Sequence, residues 1–312
     1  MIKQIIFNVG GALSSYVECN EYKILVDLGS TSVFHPVEDF LIPLYEKRNE
    51  QKNSDDKYKL SQLILSHPHN DHISNIETFH KYFYPDLLTT PNDNNGTPIA
   101  EKINWTLITN PTDNYVKFLR KNVLPGRTPP LRSTNPFVLQ IFYNKCLQCE
   151  KSLLLEKKNY SNNISIATFL YLNGQRILMA GDLMKDGMTY LIANNEGFKK
   201  ELSLGVDFLI TPHHGLKSSF SVELFDAMKD GKTNKLNIVS EKVTYTESNR
   251  IVDTRYSSSD YCIGNNNLSD STNKAYQRKT SNGHIIIDYG NNEPFITIEE
   301  SNDPKILIDY FK

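Results

Sequence analysis

Apolar runs of strand length recur along the chain and alternate with segments of helical periodicity. The first 30 residues contain the strand-like runs IKQIIFNV, YVECN and YKILVDLG, separated by turn residues, and predict a hairpin. Residues 36–50 carry apolar positions at helical spacing. The short apolar segment Leu60–Leu65 predicts a strand, and Ile73–Phe83 after it predicts a helix. This order of strand, loop and helix indicates an α/β protein.

The second half of the chain shows the same alternation, with a helix predicted over residues 219–230. Asn173-Gly174 is a strong signal for a tight hairpin turn between two strands. Strands are predicted at Phe137–Tyr143, Ile164–Leu172, Arg176–Met179, Val206–Ile210, Gly283–Asp288 and Pro294–Ile298.

Two stretches lack this regularity. Residues 84–100 are rich in turn residues, and residues 244–282 are rich in Ser, Asn, Thr and Asp, so both predict irregular structure. The pattern predicts a single domain over residues 1–312, with two packed sheets flanked by helices. Insertions are expected near residues 84–136 and 244–282.

Composition and charge narrow the protein class. The hydrophobic fraction of 39% and the aromatic fraction of 11% are sufficient for a sizeable core. With 34 Lys and Arg against 36 Asp and Glu, the net charge is -2, which argues against a surface coated in basic residues for nucleic acid. The N-terminus lacks a signal-peptide layout, and no apolar run approaches the roughly 20 residues of a membrane span. A cytoplasmic protein without a membrane span is expected.

The four cysteines are too few for a disulfide framework in a chain of this size. Cys146 and Cys149 form a C-x-x-C motif, but no second pair accompanies it. We therefore predict two ordinary thiols in a surface segment rather than a redox or metal site.

The segment Ser66-His67-Pro68-His69-Asn70-Asp71-His72 carries the strongest chemical signal. On an extended turn, His67 and His69 point to the same side and can share one metal ion, while Asp71 and His72 turn toward a second position. Imidazole nitrogen and carboxylate oxygen are zinc ligands. The alternative is a helix capped by Asp71 with its histidines on the surface. Three imidazoles and a carboxylate so close together favour a metal site.

The pattern His67-x-His69-x-Asp71-His72 resembles the signature of the metallo-β-lactamase superfamily. The resemblance implies an α/β fold of four layers, αββα, with two mixed β-sheets packed face to face and helices outside. It also implies that the metals lie at the edge of the β-sandwich.

Further motifs follow in the order that this family has. The resemblance implies that Asp27, in Asp27-x-Gly29, supports the metal-binding loop from behind, and that Asp182, after Ala180-Gly181, bridges two ions. Thr211-Pro212-His213-His214-Gly215 resembles the last motif, which supplies a histidine to the second metal. The resemblance favours His214 as this ligand and leaves His213 as a substrate-contacting or supporting imidazole.

The sequence resembles one branch of the superfamily more than others, namely the hydrolase domain of the DNA-uptake competence protein and its free-standing relatives. Many members have a further histidine before the bridging aspartate, but none lies between His80 and His213 here. The branch implies Asn162 as the group in its place, either as a metal ligand or as support. An amide oxygen suits Mn²⁺ or Mg²⁺ better than Zn²⁺. His284, on a late strand, is expected to be structural, with a position at the site as the alternative.

The resemblance implies a metal-dependent hydrolase that holds one or two Zn²⁺ ions, with Mn²⁺ or Mg²⁺ as alternatives, and acts through a metal-activated hydroxide. Asp71 is expected to orient and deprotonate the water, and either His213 or a water to protonate the leaving group. The residues best placed to contact a substrate anion are Lys217, Ser218 and Ser219.

A phosphodiesterase or nuclease acting on a phosphate-bearing substrate, either nucleic acid or a nucleotide, is favoured. The alternatives are an ester, lactone or lactam hydrolase and a non-catalytic subunit of a larger assembly that keeps the fold. The sequence leaves a protein partner or a homo-oligomer open.

Overall fold

The architecture is that of a computed structural model, which describes residues 1–91, 103–107, 137–229, 234–241, 251–264, 276–291 and 293–312. These residues form two mixed β-sheets. The first has seven strands, in the spatial order β13 (Phe295–Glu299), β12 (His284–Asp288), β1 (Ile2–Ile6), β2 (Ser15–Cys19), β3 (Tyr22–Val26), β4 (Tyr58–Ile64) and β5 (Phe83–Thr89). The second has six, in the order β11 (Gln277–Lys279), β10 (Leu236–Val239), β9 (Phe208–Ile210), β8 (Gln175–Met179), β7 (Ala167–Leu172) and β6 (Phe137–Phe142).

Short helices connect the strands. The α-helices of the described residues are α1 (Ile42–Lys47), α2 (Asn70–Ile73), α3 (Ile76–Tyr82), α4 (Cys146–Lys151), α5 (Tyr160–Asn163), α6 (Lys185–Asn194), α7 (Glu196–Ser203), α8 (Val222–Ala227) and α9 (Pro304–Asp309). A π-helix, Pro36–Leu41, precedes α1. The 3₁₀ turns are Trp105–Leu107, Lys157–Asn159, Pro212–Gly215, Lys217–Ser219, Thr254–Ser257 and Thr280–Asn282. Within the described ranges, no helix has both the length and the apolar character of a membrane-spanning segment.

The alternation of side chains along the strands builds three apolar layers. In β8, Ile177 and Met179 contribute to the core between the two sheets, whereas Leu178 faces the helices that cover the second sheet. In β3, Ile24 contributes to the core between the sheets and Leu25 faces the helices that cover the first. Because both faces of each sheet are covered, these strands are apolar at nearly every position. The layers confirm the predicted αββα sandwich.

The parallel strands set the position of the site. In the first sheet β3, β4 and β5 run parallel, and in the second sheet β8, β9, β10 and β11 do so. Loops that leave the carboxyl ends of neighbouring parallel strands meet at one edge of a sheet. The predicted motifs follow β3, β4, β8 and β9, and therefore meet at the edges where these strands end.

Two sequence predictions need correction. Residues 84–89 belong to a strand, because the apolar pair Leu87 and Leu88 is buried and Pro85 lies in an edge strand, where a missing N–H is tolerated. The helix predicted over Ile73–Phe83 is shorter: α2 ends at Ile73, α3 spans Ile76–Tyr82, and Phe83 begins β5.

The cysteine prediction is also wrong in one respect. Cys146 and Cys149 lie on α4 and are fully buried in the core on the outer side of the first sheet, not in a surface segment. None of the four cysteines forms a disulfide bond. The single-domain prediction stays a prediction, and the insertions expected near residues 84–136 and 244–282 fall largely outside the described residues.

The core between the sheets yields a stability prediction. Ile177→Ala removes a fully buried side chain between the sheets, so we expect the free energy of unfolding to fall by about 2–5 kcal/mol. Leu204→Ala, at a side chain that is 54% exposed, is the control and should change it by less than about 1 kcal/mol. Urea denaturation followed by circular dichroism measures both. Equal effects of the two substitutions would contradict the assigned position of Ile177.

Candidate metal centre

Asp27, directly after β3, holds the histidine-rich loop that follows β4. Its buried carboxylate accepts hydrogen bonds of 2.7 Å from the amide and the hydroxyl of Ser66 and contacts Nδ1 of His72 at 2.7 Å. A carboxylate only accepts, so the hydrogen of the neutral imidazole is on Nδ1 and the lone pair is on Nε2. Asp27 therefore lies behind the loop, as the resemblance implied, and fixes which nitrogen of His72 faces the centre.

Gly29 allows the same loop to approach closely. A Cβ atom at this position would lie 2.4 Å from the carbonyl oxygen of Asp71 and 2.6 Å from that of Leu13. No larger residue fits without moving backbone. The glycine of the Asp27-x-Gly29 motif is thus explained by the packing of the loop that carries Asp71.

Asp182 comes from the second sheet, directly after β8, and is buried among imidazole rings. The backbone amide of Asp182 donates a hydrogen bond of 3.0 Å to the Ser165 hydroxyl. Gly181 before it has a φ of 55°, and a Cβ there would lie 2.9 Å from the Cβ of Ser165 and 3.0 Å from that of Ser66. The sequence did not predict a role for either serine, because a small polar residue next to a motif is a weak signal.

Four imidazoles surround the Asp182 carboxylate. One of its oxygens lies 3.1 Å from Nε2 of His72, and the other lies 3.7 Å from Nε2 of His67. That second oxygen is also 3.8 Å from the Nε2 atoms of both His213 and His214. Two ligand atoms on one tetrahedral zinc ion are about 3.3 Å apart, because each bond is about 2.0–2.1 Å long. The spacing around Asp182 is close to that value.

His213 and His214 lie in a strained turn after β9. Their φ angles are 47° and 58°, in the left-handed region, which costs about 1–3 kcal/mol for each such residue. The His213 amide donates a hydrogen bond of 3.0 Å to the carbonyl oxygen of Gly181, which ties this turn to the Asp182 loop. The turn brings Nε2 of His214 to 3.3 Å from a carboxylate oxygen of Asp71.

The potential ligands fall into two groups, and the atoms of each lie within 4.8 Å of one another. One group contains Asp71, His72, Asp182 and His214; the other contains His67, His69 and Asp182. Asp182 belongs to both, which suits the bridging role that the resemblance implied. The group with His67 and His69 has three members, consistent with the missing middle histidine.

Unpaired nitrogen atoms show that these residues fit a metal ion. The Nε2 atoms of His67, His72 and His214 are buried and have no hydrogen-bond partner. A buried polar atom without a partner costs about 1–3 kcal/mol, and native structures rarely keep several together. Imidazole nitrogen with carboxylate oxygen is a donor set for zinc and other divalent transition metals. The cluster is a candidate metal-binding site for such an ion.

The charges of the cluster are strongly coupled. Burial lowers the pKa of His67, His69 and His213, so these rings favour the neutral form that binds metals. Burial also opposes a charge on His72, yet the carboxylates of Asp182 and Asp27 hold its pKa well above the usual value.

The pKa values of the two carboxyl groups, Asp182 and Asp71, are lowered by the neighbouring imidazoles. Burial would raise the pKa of Asp182, but His72, His214 and His213 hold it well below its usual range. Burial likewise opposes ionisation of Asp71, and the imidazole of His214 beside it lowers the pKa of this carboxyl below the usual range. Both carboxylates are therefore ionised and attract positive charge, whether from protons on imidazole or from a cation.

The predicted substrate contacts divide into two kinds. Lys217 and Ser218 are exposed, and the Ser218 hydroxyl lies 3.4 Å from Nδ1 of His213. Ser219 is fully buried, and its hydroxyl donates hydrogen bonds of 2.8 Å to the carbonyl oxygens of Pro212 and Leu216. The prediction of a substrate contact for Ser219 is therefore wrong, because this side chain stabilises the turn from inside.

Asn162 and His284 have different environments. Asn162 lies on α5, its side-chain oxygen is buried without a hydrogen-bond partner, and its amide donates to the Met184 sulfur at 3.4 Å. His284 is structural, as expected: it accepts from the Asn8 amide at 3.2 Å, contacts Asn302 at 2.8 Å and packs on Phe34.

The sandwich of two mixed sheets carries each motif in a loop after a strand, and the motif side chains converge on Asp182. The chain has the metallo-β-lactamase fold. No protein-family model and no curated protein matches the sequence significantly. The narrower resemblance to the competence-protein branch stays a prediction.

Several solved structures are similar to this chain at low identity. They include Igni18, a metallo hydrolase from Ignicoccus hospitalis, with 12% identity, coverage of 82% of this chain and 88% of that chain, and a TM-score of 0.39. YhfI from Bacillus subtilis has 14% identity, coverage of 76% and 85%, and a TM-score of 0.36. The short form of human tRNase Z has 14% identity, coverage of 67% and 77%, and a TM-score of 0.29. The assignment of the fold rests on the sheets and motifs of this chain.

Metal binding should stabilise the protein. We expect Zn²⁺ at about 100 times its dissociation constant to raise the free energy of unfolding by about 2.7 kcal/mol, because the ligands converge only in the folded chain. Thermal denaturation with added Zn²⁺ or with chelator measures the shift. His72→Ala should abolish it, and His80→Ala, outside both ligand groups, should preserve it. The same melting temperature with metal and with chelator would contradict a metal site.

The support from Asp27 gives a second prediction for this centre. Asp27→Asn keeps the shape of the side chain but removes the charge that orients His72, so metal affinity should fall about 10–100-fold. Competition with a chromophoric chelator measures the affinity. Asp226→Asn, at an exposed aspartate of α8, is the matched control. Unchanged affinity in Asp27→Asn would show that the contact only stabilises the loop.

Proposed function

We propose that the protein is a metal-dependent hydrolase whose substrates are phosphodiesters. The observation that carries the proposal is the pair of converging ligand groups that share Asp182, with three buried Nε2 atoms free of hydrogen bonds. When bound, one or two divalent ions supply Lewis acidity and lower the pKa of a water molecule. The residues that would hold them are His67, His69, Asp71, His72, Asp182 and His214, and the unpaired amide oxygen of Asn162 is a further candidate.

Two side chains at the mouth of the centre have the access that proton transfer requires. The Asp71 side chain is 39% exposed and that of His213 is 22% exposed, whereas the side chains of His67 and His72 are fully buried. Asp71 orients the attacking water and accepts its proton, since its carboxylate is ionised. His213 lies outside both ligand groups, and its imidazole, which is neutral at rest, takes up a proton from water and passes it to the leaving oxygen.

The preference for a phosphate ester is supported by the groups beside His213. Lys217 has no carboxylate within 4.0 Å in the part of the chain that the structure describes, so its ammonium group is available to a substrate anion. The Ser218 hydroxyl, 3.4 Å from His213, adds a donor at the same place. A charged phosphoryl group uses these donors better than an uncharged lactone does.

The two histidines of the last motif allow a matched test. In His213→Gln we expect the kcat for a dinucleoside phosphate to fall about 10²–10⁴-fold while the bound metal stays unchanged, because a proton donor is lost and no ligand is. His214→Gln should lower the metal content itself. Steady-state kinetics and elemental analysis of the purified variants measure both. Loss of metal in His213→Gln and retention in His214→Gln would reverse the two roles.

The substrate class is tested with the metal-loaded protein. We expect cleavage of bis-p-nitrophenyl phosphate and none of nitrocefin or of a lactone. The reverse pattern would favour an ester, lactone or lactam hydrolase. A protein that binds neither zinc nor manganese, and is equally stable in chelator, would instead be a non-catalytic subunit.

A further inference from the structure

Two cavities meet at Lys217 and Ser218, next to the metal centre. The first has a volume of about 700 Å³ and the second about 880 Å³, and both residues line each of them. These volumes lie in the usual range of small-molecule sites, about 300–1,000 Å³. Because the Ser218 hydroxyl is 3.4 Å from His213, the wall that the cavities share is also the rim of the centre.

The first cavity extends along α6. It is lined by Met184, two residues after Asp182, and by the apolar groups of Leu154 and Ala193 together with Asn159 and Thr189. Apolar walls with a few hydrogen-bonding groups suit an organic ring system with polar edges. This composition fits a nucleoside better than it fits an inorganic anion.

The charges of the first cavity set a limit on the group it accepts. Its described lining contains three carboxylates and three lysines, namely Glu156, Asp186, Glu223, Lys158, Lys185 and Lys217. Polyanion sites instead carry an excess of Lys and Arg, which neutralise the phosphates. The balance here favours a single uncharged group over a chain of further phosphates.

The second cavity is bounded by Lys217 and Ser218 and by the segment 251–255. A bridge between Leu216 and Val252, and a hydrogen bond of 2.9 Å from the Asp253 amide to Gly215, fix this segment to the last motif. Arg255 is held by the Asp253 carboxylate at 2.7–2.9 Å and lies over the Phe220 ring. Among the described residues that line the second cavity, Lys217 is therefore the cation that remains available to a ligand.

We propose that the two cavities hold the two substituents of a phosphodiester whose phosphate lies against Lys217 and Ser218. The substituent in the first cavity is uncharged and of nucleoside size. The inference rests on the proposed function and deepens it, because it specifies a substrate with two sizeable arms rather than a phosphomonoester. Both arms contribute to binding, as linked ligands do.

The test compares a ligand with two arms and a ligand with one. We expect the phosphorothioate analogue of thymidylyl-thymidine, which resists hydrolysis, to bind the metal-loaded protein at least about tenfold more tightly than thymidine 5′-monophosphate. Ala193→Trp fills the first cavity and Thr254→Trp the second, both at exposed positions. Each should reduce the affinity for the two-armed ligand to that of the one-armed ligand in calorimetric titrations.

The control is Leu204→Trp, which adds the same side chain at an exposed position outside both linings. It should leave both affinities unchanged. Equal affinities of the wild-type protein for the two ligands, or unchanged affinity in both cavity variants, would overturn the inference. The proposed function is contradicted by a different result, namely no cleavage of bis-p-nitrophenyl phosphate by the wild-type protein. The two proposals can therefore be rejected independently.

Discussion

The centre depends on the contact between the Asp182 carboxylate and the Nε2 atom of His72, at 3.1 Å. Asp182 follows a strand of the second sheet and His72 belongs to the loop after a strand of the first, so this contact joins the two halves of the sandwich. Both side chains are buried, where an isolated charge would be strongly unfavourable. The two groups are therefore stable together only with a positive charge, either a proton on the imidazole or a bound cation, and each half of the sandwich contributes one of the two groups that hold it.

The surrounding structure holds this contact from both sides. Asp27 fixes the imidazole of His72 through Nδ1, and Ser165 fixes the backbone of Asp182. The strained turn of His213 and His214 lies next to this contact, and the amide of His213 donates a hydrogen bond to the loop that carries Asp182. A site held this rigidly favours positioning of ligands over adaptation to them.

The sequence predicted the loops of the centre well because their chemistry is local. His67, His69, Asp71 and His72 lie within six residues, and the strands before the motifs are short apolar runs with clear ends. Other features depend on the folded path of the backbone around a residue and could not be predicted. The burial of Ser219 depends on carbonyl oxygens of its own turn, and the burial of Cys146 depends on how α4 packs against the first sheet. Strand β5 was not predicted because it contains Pro85, and proline is tolerated in a strand only at the edge of a sheet.

The burial of the cysteines has a consequence for metal selectivity. A thiol binds a metal as the thiolate, and burial raises the pKa of Cys19 and of Cys262 to about 11, so both remain protonated at neutral pH. All four sulfur atoms lie inside the protein, away from the imidazole cluster. Soft ions such as Cu⁺ or Cd²⁺ thus meet no accessible cysteine sulfur on the folded chain, and the nitrogen and oxygen donors of the cluster determine which metals it retains.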